Sequence, residues 1–371
     1  MKQCVMEKKR YFGLDAVRVL ALCLLLWLHF LLRNGFYSKP VNNVPMILAA
    51  AGRVIFMCCI PLFLMLTGYL KCQKPWNGSY YRSLLPILIS WVLISPICMC
   101  YKIFVSEVEM TAYEWVVEFF NFKMANYSWY IEMYIGLILV SPFLNIAWTQ
   151  MKTKKKHQAM VLSFMLLTFL PSAVNGIAWD GETKLNVIPN YWSSLYFFTY
   201  YLIGCYIRTW QPRVKKRLAI PAAILIALMF ALINCVTGGA QKNFYSGYNI
   251  SYGHPGTAAI AVLLFLSVYQ LRCRNRFISG TMAAVSNVAL EMYLISCVFD
   301  QTIYRYQKGY GAEEYLWRGI LACGLVFLLS FLSGWAIHWL STHLSTGLTN
   351  CVKTMKSYTI CREKQNNNGN E

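Results

Sequence analysis

The chain has 371 residues, 57% of them hydrophobic and only 13% charged, with a mean hydropathy of +0.43. That leaves too little polar surface for a water-soluble globule. The formal charge of +19 does not indicate nucleic acid as a partner, because the basic residues form short clusters between apolar stretches of about 20 residues instead of one exposed patch.

Lys8, Lys9 and Arg10 precede the first apolar stretch in the manner of a signal peptide. That stretch carries Asp15 and Arg18, lacks a small-residue cleavage site, and has Leu22 where a lipoprotein site needs a smaller residue, so it reads as a retained first helix. Windows of about 19 residues then give candidate spans near 12–32, 44–70, 84–101, 128–148, 158–175, 190–207, 218–236, 254–271, 281–299 and 319–340. Lys and Arg gather at the N-terminus, around 71–82, in 152–156, 208–217 and 272–276, and in the C-terminal tail. The alternate segments hold few bases but most of the acids, among them Glu107, Glu109, Glu114, Glu118, Asp300, Glu313 and Glu314. A missed helix would invert this asymmetry downstream, and it persists to the end. The expected fold is an all-α polytopic transmembrane helix bundle of about ten spans, with the N-terminus and C-terminus cytoplasmic. Residues 1–10 form a cytoplasmic N-terminus, 11–342 the transmembrane domain, and 343–371 a cytoplasmic tail that is partly disordered from Lys364. No internal repeat of the kind that builds many transporters is visible. The chain's 14 cysteines include no CxxC pair and lie mostly inside apolar runs, the pattern of buried thiols.

Ionisable residues within spans are costly and face a protein interior or a water cavity. Here they are Asp15, Arg18, His29, Arg53, Glu132 and Glu291. Arg18 and His29 are eleven positions apart, three turns plus about 20°, so both project from one face of the first helix, about 16 Å apart along its axis. Asp15 lies near that face. Singly, Arg18 also fits a side chain that snorkels to the interface with Asp15 as its partner. Glu132 lies at a depth similar to that of His29, which lets a carboxylate fix the imidazole tautomer and raise its basicity, as a general base requires. Glu291 and Arg53, nearer the midplane, pair with each other or with other helices. Arg82, with Lys71 and Lys74 close by, suits phosphate groups and equally satisfies the positive-inside rule. The aromatic residues Tyr191, Trp192, Tyr245, Tyr248 and Tyr252 suit interfacial anchoring and also sugar stacking.

Gly13-Leu14-Asp15-Ala16-Val17-Arg18, followed after ten residues by His29, resembles the opening signature of membrane acyltransferase family 3, the bacterial O-acyltransferases. Ile60-Pro61-Leu62-Phe63 through Thr67-Gly68-Tyr69-Leu70 is similar to the family's second-helix motif. Trp129-Tyr130-Ile131-Glu132 with Ser141-Pro142-Phe143-Leu144 resembles its fourth-helix segment, and Glu291-Met292-Tyr293-Leu294-Ile295-Ser296 its late Tyr-Leu motif. The chain departs from the pattern at Leu85, where a second arginine often follows Arg82 by three places. It departs again at Ser296 and at Tyr127-Ser128, where histidines are common.

The resemblance implies transfer of an acyl group, usually acetyl, from acetyl-CoA or another acyl-CoA to a hydroxyl of an extracytoplasmic carbohydrate. The partners are then the lipid bilayer, the acyl-CoA donor and the glycan acceptor, with no metal and no nucleic acid. By position, Arg18 helps hold the donor, Asp15 and Arg82 support it, and His29 is catalytic, with Glu132 orienting it. Whether His29 acts as a general base or carries the acyl group stays open. The competing classes are a proton-coupled secondary transporter, in which Asp15, Arg18, Glu132 and Glu291 form a relay, and a catalytically idle membrane partner protein.

Overall fold

The computed structural model describes residues 10–77, 80–175, 187–238 and 243–367, with side chains up to residue 347. Among the described residues every regular element is a helix. The first, α1 (Phe12–Arg33), places Asp15 in its first turn and Arg33 in its last, the order that the helix dipole favours. α2 (Val44–Phe56) starts at Asn43, whose side chain accepts the Met46 N–H, and passes through a break at Met57 and Cys58 into α3 (Cys59–Lys71). α4 (Leu85–Phe104) and α6 (Trp129–Gln150) each contain a proline, Pro96 and Pro142, tolerated where neighbouring helices re-satisfy the freed carbonyl. Between them, α5 (Ala112–Phe120) opens with a capping box of Thr111 and Glu114. α7 (Lys154–Thr168), α8 (Leu170–Val174) and α9 (Tyr196–Trp210) follow, and α9 stops at Gln211 in the left-handed conformation. The remaining helices are α10 (Lys216–Gly238), α11 (Pro255–Val268), α12 (Arg276–Asn287), α13 (Ala289–Ile303) and α14 (Tyr315–Asn367).

Six of these helical stretches are long and apolar enough to cross a membrane: α1, the joined α2–α3, α4 with its preceding turn, α6, α10, and Ala312–Gly347, the first part of α14 with its preceding turn. A seventh is present if α12 and α13, bent by 68° at their junction, count as one. The windows near 158–175, 190–207 and 254–271 fall on helices of 15, 15 and 14 residues. At 1.5 Å per residue these reach about 21–23 Å, short of the ~30 Å hydrocarbon core. A hydropathy window averages straight through the breaks that end them, such as Phe169 after α7 and the 3-10 turn Asn190–Leu195 before α9. α14 continues through residue 342 to Asn367. Residues 1–9 and 368–371 of the expected termini lie outside the described residues, as do Asp180, Glu182, Lys184 and Lys242.

The bundle closes through small residues, as expected where lipid supplies no hydrophobic drive between helices. α3 and α9 meet at Gly68 and Gly204. A Cβ on Gly68 would run into the Tyr201 carbonyl, and one on Gly204 into that of Met65. α10 lays a buried row of Ala219, Ala223, Ala227 and Ala231, spaced one turn apart, toward α2. α1 contacts α2, α3, α11, α12, α13 and α14. The helix with the polar stripe is therefore central, and long lipid-suited helices surround it in a multi-pass membrane protein.

Candidate active site along the first helix

Because α1 is central, the 3.6-residue period turns its stripe toward protein instead of lipid. At one end Asp15 is held by three hydrogen bonds: from Arg10 Nε (2.6 Å), Arg10 Nη2 (2.8 Å) and Ser286 Oγ (2.6 Å). The hydrogen bond to Asp15 raises the pKa of the Arg10 guanidinium, which lies before the helix. Arg18 Nη1 donates to Ser286 Oγ at 2.6 Å and lies 3.9 Å from Asp15. Asp15 and Ser286 thus fix the guanidinium of Arg18 at the wall of a cavity of about 300 Å³ between α1, α3, α6 and α13.

Lys71 and Lys74 line the same cavity, and Lys71 Nζ donates to Ser83 Oγ at 2.7 Å. Arg82, next to Ser83, is exposed and does not reach the cavity wall. Three cations therefore border one end of an otherwise apolar slot that includes Leu25, Ile60 and Phe63. Its other end is closed by Tyr130 and Tyr293, whose rings meet edge to face at 5.7 Å.

Behind Tyr293 lies His29, with ring centroids 6.5 Å apart. His29 is buried and stacks on Tyr127 at 3.7 Å, and its Nδ1 is 3.3 Å from Asp300 Oδ2, without hydrogen-bond alignment in this state. The Tyr127 hydroxyl donates to the same carboxylate oxygen, and the Tyr293 hydroxyl donates to the Tyr127 carbonyl at 2.5 Å. Asp300 is fully buried. A carboxylate, an imidazole and two tyrosines thus form one cluster between α1, α13 and the turn before α6. An imidazole whose Nδ1 faces a carboxylate leaves Nε2 to exchange a proton with a substrate hydroxyl.

The structure brings Arg18 and His29 to one interior face but does not bring Glu132 to His29. The buried face of α6 runs through Tyr130, Ile131, Leu137, Ile138 and Ser141, and Glu132 stands off it. It is exposed and lines a separate cavity of about 370 Å³ with Lys102, Glu118 and Lys123. Nor do Arg53 and Glu291 pair. Arg53 donates to the Ile250 carbonyl at 2.5 Å and lies over Phe244, whereas Glu291 accepts from Ser90 (2.8 Å) and contacts His338 Nδ1 (3.0 Å).

Asp300 escaped the sequence reading because the ninth window closed at residue 299 and left it among loop acids. α13 runs on to Ile303, and Tyr293, Ser296 and Asp300 share a face by the i, i+3, i+7 rule, a signal present in the sequence. Tyr127, noted only as standing where relatives carry histidine, packs on the catalytic candidate itself. Among the described residues no group of three or more His, Cys, Asp or Glu side chains could hold a metal ion, and the buried cysteines are free thiols.

No curated protein and no solved structure matches the chain significantly. A sequence-family model described as an acyltransferase domain matches residues 11–339, which takes in the whole column from Asp15 to Asp300. The chain therefore belongs to acyltransferase family 3, as a multi-pass membrane acyltransferase.

Proposed function

We propose that the protein moves an acyl group, acetyl in the simplest case, from cytoplasmic acyl-CoA to a hydroxyl of an extracytoplasmic carbohydrate. In this reading about ten crossings place both termini in the cytoplasm. The shorter helices α7, α9 and α11 complete the count, and the lysine and arginine asymmetry sets the orientation. One observation carries the proposal: a single helix lines a cation-bordered slot with Arg18 and, about 16 Å further along, holds His29 against a buried carboxylate.

The nucleotide and phosphates of the donor stay at the mouth, where Arg18, Lys71 and Lys74 supply positive charge and the exposed Arg82 and basic loops add to it. Asp15 acts through Arg18 by fixing its guanidinium. The apolar slot accepts the extended pantetheine arm and brings the thioester to the Tyr130–Tyr293 wall. Tyr293 stands between slot and imidazole, so turning its ring admits the thioester to His29. His29 Nε2 removes the proton from the acceptor hydroxyl. The hydroxyl oxygen bonds to the acyl carbon, the carbon–sulfur bond breaks, and the departing CoA thiolate takes up the proton. Asp300 is the residue that positions His29; Glu132 stands too far round its helix to do so.

The test is incubation of purified protein with radiolabelled acetyl-CoA and a cell-envelope glycan fraction. The expected result is label in the glycan with wild type and none with His29→Ala at equal protein level in the membrane. Full transfer by His29→Ala rejects the assignment.

A further inference from the structure

Arg33, Arg305 and Lys308 line a second cavity, of about 180 Å³, together with Tyr101, Ser106 and Gln301. It lies at the His29 end of the bundle. Arg33 follows His29 by one turn of α1, about 6 Å along the axis, and Gln301 follows Asp300 in α13. Among the described residues no ion pair engages any of the three cations. Arg33 Nε is buried without a hydrogen-bond partner. Asp300 attracts the Arg33 guanidinium, but its Oδ2 already accepts from Tyr127 and faces His29. All three cations also belong to the few bases on the acid-rich side of the chain, where the charge asymmetry that orients the helices disfavours them. Asp300 offsets one charge at most, so the convergence of three cations on one cavity beside His29 is explained by a ligand of opposite charge.

We propose that this cavity binds an anionic group, phosphate or carboxylate, carried by the acceptor whose hydroxyl is offered to His29. Arg33, Arg305 and Lys308 hold the charge while Nε2 of the imidazole meets the hydroxyl, so the acceptor is an acidic carbohydrate. The acceptor assignment rests on the acyl-transfer reading above; the anion site itself rests on the cavity.

The binding test uses the full chain in phosphatidylcholine nanodiscs, titrated with glucose 6-phosphate, glucuronate and glucose and read by thermal shift. The two acids should bind at least about tenfold more tightly than glucose. That preference should disappear in Arg305→Ala/Lys308→Ala, whose substituted side chains are exposed. Equal binding of glucose, or a preference that survives the double substitution, overturns the proposal. Loss of glucose 6-phosphate binding when phosphatidylglycerol replaces phosphatidylcholine would assign the cavity to a lipid headgroup and overturn it as an acceptor site. A transfer test then follows label from acetyl-CoA into acidic and neutral envelope glycans. Label should enter the acidic pool, with the acceptor KM raised about tenfold or more by the double substitution and the acetyl-CoA KM unchanged; equal labelling of the neutral pool overturns the proposal. If neither pool is labelled, the acyl-transfer reading fails, and the binding test still decides whether the cavity is an anion site.

Discussion

His29 and Asp300 are 271 positions apart in the chain, yet their side chains stand 3.3 Å apart at the contact between α1 and α13, with the Asp300 carboxylate shared by Tyr127. A buried carboxylate that orients an imidazole is costly to remove, because the ring then loses the group that fixes its position. Asp300→Asn, which keeps an acceptor for Tyr127, is expected to lower kcat by about tenfold or more, a part of the ~10²–10⁴-fold that a positioned general base contributes, and to leave the acetyl-CoA KM unchanged. Steady-state transfer kinetics on protein of normal gel-filtration profile check this, and an unchanged kcat would remove Asp300 from the mechanism.

Arg18 should separate from His29 kinetically. Hydrogen bonds to a charged group contribute about 1.5–3 kcal/mol, so Arg18→Ala is expected to raise the donor KM by about 10–100-fold. His29→Ala instead abolishes turnover while donor binding persists. Equilibrium binding of a non-transferable acyl-CoA thioether to both variants distinguishes the two effects.

Glu132→Gln is expected to leave the rate and its pH profile within about twofold of wild type, in the range of an exposed substitution. The side chain faces the cavity of Lys102 and Lys123, away from the imidazole. A tenfold fall in kcat would show that the helix rotates Glu132 inward during turnover.

Gly68→Val tests the α3–α9 crossing. The added side chain meets the Tyr201 carbonyl, a backbone atom that cannot swing aside. Overpacking of this kind costs about 1–3 kcal/mol or more. The variant should melt several degrees lower in detergent, as read by the loss of the monodisperse gel-filtration peak on heating, while the exposed Gly280→Val should not.

Much of this was local and hence present in the order of residues. Hydropathy alone makes the chain a membrane protein, and the helical period alone puts Arg18 and His29 on one face of α1, because both follow from backbone geometry within a single element. The exposed side of Glu132 was not legible, because α6 is apolar all round: the exposed Leu139, Val140 and Phe143 are as hydrophobic as the buried Ile131, Leu137 and Ile138. Packing decided the rest. Which carboxylate meets His29 depends on how α13 lies against α1, and depth in a membrane does not specify rotation about a helix axis, so equal depth pointed to Glu132 while the fold supplied Asp300. The number of long helices, the slot between Arg18 and Tyr293, and the meeting of Arg33 with Arg305 and Lys308 likewise depend on breaks and crossings such as that at Gly68 and Gly204. These are set by contacts between segments distant in the chain, which no window along the sequence contains.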